Sequence, residues 1–137
     1  MKILLIGFGS IGQRHYKNFI KFSDVKVYEK NHKALKNFFF RDVKSSIEWK
    51  PDGVVICTPT NTHLKIAELF LGKTKKILIE KPITNSLSSV NRFDKIRKKS
   101  NTKIYVVCNM RFHQALLAIK KKVNSIGRIY FVRSHFG

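Results

Sequence analysis

The sequence predicts an α/β fold: a doubly wound, mostly parallel sheet with helices on both faces, continued by a C-terminal helix and a strand stub. Three observations carry that expectation. A short apolar run at residues 3–6 breaks into Gly7, Gly9 and Gly12, spaced as GxGxxG. Strand-like apolar runs then alternate with segments of helical period, joined by short turns. The run at residues 54–57, Val-Val-Ile-Cys, is apolar without interruption, as a parallel strand covered on both faces requires.

The glycine turn is the first candidate site. In a strand-turn-helix unit the first glycine allows the tight turn, the second lets a pyrophosphate come close to the backbone, and the third lets helix and strand pack closely. The following helix aims unsatisfied N–H groups, near Ser10 and Ile11, at such a ligand, helped by the positive end of its dipole. The same spacing also serves a turn that binds nothing, so the context decides. Residues 13–22 place Tyr16, Phe19 and Ile20 on one helical face, and a strand-like run at 25–28 ends at Glu29, 20 residues after Gly9. A carboxylate there can accept from both hydroxyls of an adenosine ribose, which favours NAD over NADP. Lys30 and His32 beside it could instead meet a 2′-phosphate.

The remaining elements follow in order. Between Glu29 and Asp52 the pattern is weakest: residues 33–39 read as a short helix and 40–43 as a short third strand, while Phe38, Phe39 and Phe40 show no clear period. Residues 61–71 carry a helical pattern through Leu64, Ala67, Phe70 and Leu71, with Gly72 as a C-cap. The next strand, 77–79, stops at Glu80-Lys81-Pro82, because proline forbids simple continuation of a central strand. Leu87, Val90, Phe93 and Ile96 recur every three residues and mark an amphipathic helix. A strand over 104–108, a helix over 113–123 with Leu116, Ile119 and Val123 on one face, and a strand-like run at 129–133 complete the chain.

Composition sets outer limits. A chain of 137 residues can bury roughly two-thirds of its unfolded surface in one domain without disulfides or metals. At 43% hydrophobic and 12% aromatic residues the chain is globular and not disordered. No apolar run approaches a membrane span, and the glycines interrupt the apolar start before Gln13, Arg14 and His15, unlike a signal peptide. A cytoplasmic location with no membrane partner is expected. Cys57 and Cys108 each end an apolar run without CxxC or histidine spacing, which reads as buried, reduced thiols and no metal site. The net charge of +20, from 28 basic against 8 acidic residues, raises the question of nucleic acid. Its clusters at Lys73, Lys75 and Lys76, at 97–99 and at 120–122 fall near helix C-termini, where cations complement the dipole on the side away from the cofactor crevice. A solvated basic rim is the preferred reading, with nucleic acid the lesser alternative.

Four motifs in succession, GFGSIGQRH at 7–15, VVICTPTNTH at 54–63, EKP at 80–82 and NMRF at 109–112, carry a family resemblance. They look like the signatures of the glucose-fructose oxidoreductase and inositol dehydrogenase (Gfo/Idh/MocA) oxidoreductases, and the tail at 111–137 is similar as well. The resemblance implies an N-terminal Rossmann domain that binds NAD or NADP, over residues 1–111, followed by the helix and strand stub, 112–137, leading toward a second domain. It implies hydride transfer at a sugar, cyclitol or nucleotide-sugar CH–OH group.

Carried over residue by residue, the resemblance assigns cofactor contacts to the turn formed by Gly7, Phe8, Gly9, Ser10, Ile11 and Gly12, and to Glu29 and Lys30. Thr58, Pro59 and Thr60 would line the cofactor at a strand's carboxyl end, with His63 beside them. The alternative for His63 is a helix-start histidine packed against Ala67 and Phe70. Lys81 is the catalytic candidate: an ammonium at a strand's carboxyl end can hydrogen-bond the reacting hydroxyl and exchange its proton during hydride transfer. Glu80 would be a further cofactor contact, and Asn109 and Arg111 would stand near the nicotinamide or substrate. Gln114 departs from the proline common after RFH in this family.

Family members normally continue into an open, mostly antiparallel sheet that walls the substrate. The expectation is therefore a chain that binds a dinucleotide but turns over poorly alone, for want of water exclusion and hydride geometry. The partner would be a separate chain supplying that domain, or another copy joined through 129–133. A dinucleotide-binding module without chemistry is the second functional class.

Overall fold

The computed structural model describes residues 1–30, 39–40 and 42–135. The first compact unit, Met1–Val107, holds six parallel strands: β1 (Lys2–Ile6), β2 (Asp24–Tyr28), β3 (Phe39–Phe40), β4 (Gly53–Ile56), β5 (Lys76–Ile79) and β6 (Lys103–Val106). Their order is β3-β2-β1-β4-β5-β6, all parallel. The chain winds outward from β1 in one direction, returns, and winds outward in the other. The point of reversal lies between β1 and β4, where open α/β sheets form their ligand crevice at the carboxyl ends of the strands.

Side chains alternate across the sheet with the period of two that a strand imposes. Ile3 and Leu5 of β1 join Val25, Val27 and Val55 on one face, covered by Tyr16 and Phe19 of α1 (Ser10–Phe19). Leu4 and Ile6 join Val54, Ile56, Ile77 and Ile79 on the other. That second face is covered by Leu64, Ala67 and Phe70 of α3 (His63–Phe70) and by Phe93 of α4 (Leu87–Arg97), with Ile47 of α2 (Val43–Glu48) at its margin. β1 is paired on both edges and apolar on both faces, which is why its sequence runs Ile-Leu-Leu-Ile without a polar break.

Element boundaries moved for identifiable reasons. α1 begins at Ser10, a turn before the apolar period starts, because Gly9 itself is the N-cap. The third strand is only Phe39–Phe40, since the Asp42 carboxylate accepts from the Ser45 amide at 2.7 Å and starts α2 at Val43. That capping bond holds the Asp42 carboxyl below its usual range. The expected helix over 33–39 lies, Phe39 apart, outside the described residues, as does His32. Gly72 takes φ +73° just past α3, the left-handed stop expected of it. Leu87 opens α4 but is 85% exposed, so the apolar stripe of that helix rests on Val90 and Phe93.

The second unit, Cys108–Gly137, contains a 3-10 turn (Asn109–Phe112), α5 (Gln114–Lys122) and a second 3-10 turn (Val123–Ile126). Two expectations are corrected here. The run at 129–133 pairs with no strand among the described residues, and Tyr130, Phe131 and Val132 are 75–85% exposed. A β-rich composition makes no strand without a neighbour to complete its ladder. Cys108 is exposed and not buried, whereas Cys57 is half-buried.

Phe70 lies fully buried at the centre of the larger core cluster. Phe70→Ala is expected to cost about 3–5 kcal/mol of unfolding free energy, read by urea denaturation. A loss under about 1 kcal/mol would show that this cluster does not hold α3 to the sheet.

Candidate crevice at the carboxyl ends of the strands

The three turn glycines answer to three different demands. Gly7 has φ +92°, and a Cβ there would stand 2.7 Å from the Cys57 carbonyl oxygen. Gly12 is buried, and a Cβ on it would collide with the Gly7 carbonyl. Both are therefore required by the fold itself. Gly9 is different: it is exposed, its backbone is extended, and a Cβ would meet nothing within 4 Å. The protein's own packing gives no reason for a glycine there, whereas the close approach of a ligand does.

Above Gly9 lies the N-terminus of α1. It has no side-chain cap and no acidic residue in its first turn, so the amides of the Ser10-Ile11-Gly12 turn keep the donor capacity that anions use. The Phe8 amide donates to Glu29 Oε2 at 2.7 Å, which ties the turn to the end of β2. Glu29 is thus placed beside the turn, as the spacing from Gly9 implied, and Lys30 follows it on the surface.

At the end of β4, the Thr62 hydroxyl stands 2.7 Å from both Thr58 Oγ1 and the Pro59 carbonyl. The Thr62 hydroxyl is the donor toward both, so its one proton is shared between the Thr58 oxygen and the carbonyl. Pro59 is exposed at this lip, with Thr60 opening the 3-10 turn Thr60–Thr62. His63 is only 1% exposed: Nε2 lies 2.7 Å from the Thr58 carbonyl and Nδ1 3.0 Å from the Pro82 carbonyl. Its ring is engaged with the backbone of two strand ends.

At the end of β5, Glu80 receives two contacts. Its Oε1 lies 2.8 Å from His15 Nε2 of α1, and its Oε2 accepts from the Lys81 amide at 3.2 Å. The His15–Glu80 pairing was not foreseen, since the two residues stand 65 positions apart and His15 carried no signal beyond its place in the first motif. Lys81 is exposed, and its peptide bond to Pro82 is cis. No carboxylate lies within 4.0 Å of its ammonium among the described residues. Asn109 and Arg111 belong to the second unit, exposed on its first 3-10 turn. Burial, and then the charge of Glu80, push the half-buried Cys57 thiol up to about 12.

A helix N-terminus over an open glycine, flanked by an acidic residue at the end of the neighbouring strand, defines a dinucleotide-binding Rossmann domain. The profile described as "Oxidoreductase family, NAD-binding Rossmann fold" matches residues 1–108. The chain belongs to that family, the Gfo/Idh/MocA oxidoreductases. It is 31% identical over 135 residues to an inositol 2-dehydrogenase of Rhizobium meliloti, covering 91% of this chain and 41% of that protein. It is 27% identical over 147 residues to a myo-inositol 2-dehydrogenase of Thermotoga maritima, covering 97% and 44%. The fold superposes on the WlbA dehydrogenase of Bordetella pertussis, solved with NADH and UDP-GlcNAcA, with a TM-score of 0.83 at 21% identity, over 94% of this chain and 44% of that one. The chain thus spans less than half the length of these relatives. Among the described residues no helix is long and apolar enough to cross a membrane, and no cluster of metal-ligating side chains occurs.

Two outcomes follow from this geometry. Gly12→Ala is expected to destabilise the fold by at least about 1–3 kcal/mol, while Gly9→Ala stays within about 0.5 kcal/mol of the parent in thermal unfolding. A destabilised Gly9→Ala would mean that Gly9 serves the fold. Because the thiolate is the reactive species, iodoacetamide at pH 8 should modify exposed Cys108 and leave Cys57 intact, as read by peptide mass. Equal labelling would contradict the raised thiol.

Proposed function

We propose that this chain is the cofactor-binding part of an NAD-dependent dehydrogenase acting on a CH–OH group of a sugar, cyclitol or nucleotide sugar. The observation that carries the reading is Gly9: an exposed glycine with open space before it, under an uncapped helix N-terminus. The residues present fit a dinucleotide. The amides at the start of α1 would hold the pyrophosphate, and Glu29 the adenosine ribose, its negative charge disfavouring a 2′-phosphate. When bound, the nicotinamide supplies the hydride acceptor.

The chain's own part in the chemistry is assigned to Lys81. Oxidation of a secondary alcohol releases a hydride from carbon and a proton from oxygen. The Lys81 amino group would hydrogen-bond the reacting hydroxyl and relay that proton, and the reverse reaction would return it. Thr58, Pro59 and Thr60 would wall the ring side of the cofactor. The relatives named above act on inositol, and the WlbA structure holds a UDP-sugar, which supports a polyhydroxylated substrate here. The substrate wall is proposed to lie in the region that those longer relatives possess and these residues lack.

Titration with NADH and NADPH, followed by nucleotide fluorescence, tests the reading. Saturable NADH binding, preferred over NADPH by about tenfold or more, is expected. Gly9→Ala should weaken NADH by at least about tenfold without unfolding the chain, and Glu29→Gln should narrow the preference. Absence of saturable binding to either nucleotide by the folded parent would refute the proposal.

A further inference from the structure

The ends of β4 and β5 raise a question that the glycine turn does not answer: what fixes Lys81. The last backbone bond of this strand pair is Glu80 N–H to the Ile56 carbonyl at 3.0 Å. Pro82 has no N–H, so the ladder cannot continue, and the chain leaves the sheet at the residue assigned to proton transfer. A side chain on an untethered strand end would sample many positions, at a cost to any reaction that needs one geometry.

Two imidazoles from two different helices take over where the ladder stops. From α3, His63 places Nε2 at 2.7 Å from the Thr58 carbonyl and Nδ1 at 3.0 Å from the Pro82 carbonyl. Carbonyl oxygens only accept. A ring N–H donates to one of them, and the ring lies wedged between both strand ends. At 1% exposure the ring is closed to bulk water. From α1, His15 meets Glu80 Oε1 at 2.8 Å, while Glu80 Oε2 accepts from the Lys81 amide. The His15 ring lies against Phe19, centroids 6.1 Å apart and 27° from parallel, which limits its freedom. Lys81 thus sits between two tethered neighbours, Glu80 held from α1 and Pro82 held from α3.

We infer that His63 and His15 are positioning residues for Lys81: His63 as the ring that cross-ties the ends of β4 and β5, and His15 as the link from the dinucleotide-binding helix to Glu80. The tie through His15 joins the two halves of the crevice. The helix whose N-terminus would meet the pyrophosphate also holds the residue preceding Lys81, so a displacement of α1 is transmitted to Lys81. This inference rests on the proposed role of Lys81, though the ties themselves do not depend on a bound nucleotide.

The test uses the full chain and three variants, His63→Phe, His63→Gln and His15→Gln. In histidine-labelled NMR spectra the His63 ring N–H should exchange slowly with water; an N–H that exchanges as fast as that of an exposed histidine overturns the cross-tie. Amide hydrogen exchange at Lys81 should speed up at least tenfold in His63→Phe and in His15→Gln, with exchange in β1 unchanged. His63→Gln, which keeps a donor, should recover part of the protection. If His63→Phe does not fold, His15→Gln and His63→Gln carry the measurement. Trace acetylation then reads the side chain: NAD+ should shield Lys81 in the parent and shield it several-fold less in the folded variants. Unchanged exchange and unchanged shielding in folded variants overturn the inference. Failure of the parent to bind NADH, with the exchange pattern as expected, would instead strike the proposed function and leave the ties standing.

Discussion

Everything at the crevice depends on one close approach of backbone to backbone. The turn after β1, the end of β4 and the first turn of α1 meet with no room for a side chain between them. Gly7 stands against the Cys57 carbonyl and Gly12 against the Gly7 carbonyl. Single bonds extend the sheet beyond its formal ends on both sides of β1: Cys57 N–H to Ile6 O at 2.7 Å and Gly7 N–H to Tyr28 O at 3.0 Å. β1 is the strand through which both halves of the sheet are registered. A turn that sat higher would lift α1 away from Leu5 and open the core beneath it. The fold and the binding surface are therefore set by the same contact, and only Gly9, which the contact does not need, is left over for a ligand.

Charge is sorted along the strand direction. At the carboxyl edge, the positive end of the α1 dipole stands near two carboxylates, Glu29 and Glu80, each with a named hydrogen-bond partner. At the opposite edge, Lys73, Lys75, Lys76 and Lys103 line a recess of about 470 Å³, where, among the described residues, only Lys75 is paired, with Asp52 at 3.1 Å. Lys76 and Lys103 are direct neighbours across β5 and β6, an arrangement of like charges tolerable only because both are exposed to water. Part of the large positive charge thus lies away from the glycine turn. Surface pairs such as Lys44 with Glu48 at 4.0 Å add little, and the stability of the unit comes from the two apolar layers.

Much of this was legible in the sequence because it rests on local rules. Ile-Leu-Leu-Ile, Val-Val-Ile-Cys and the Leu64-Ala67-Phe70 stripe each report burial directly, and the glycine spacing reports the turn. The features that escaped have long-range or very local causes. α2 has six residues, too few to show a period, and its start is fixed by the Asp42 side chain and not by apolar pattern. The His15–Glu80 contact couples residues from the first and fifth strand units. Exposure of Cys108 and the absence of a strand at 129–133 depend on what lies beside those residues, which no local pattern encodes. Asn109 and Arg111 are in the same position: their motif is readable, while their surroundings are set by the second unit.

The strand order also bears on how far the site extends. Glu29 ends β2, the glycine turn follows β1, Thr58 and Pro59 follow β4, and Lys81 follows β5. These are four consecutive strands of the sheet, β2-β1-β4-β5, so at about 4.8 Å between neighbours the acidic and the basic side chain stand roughly 14 Å apart along the edge. A ligand that uses both must be long, with an anionic middle over β1 and a reacting end beyond β4. A mononucleotide would reach from Glu29 to the turn and stop short of Lys81. The two ends also differ in how they are held: Glu29 bonds directly to the turn, whereas Lys81 depends on His63 and His15 for its place. In the proposed reading, recognition is thus built into the primary turn, and reactivity into a strand end that the sheet alone does not fix.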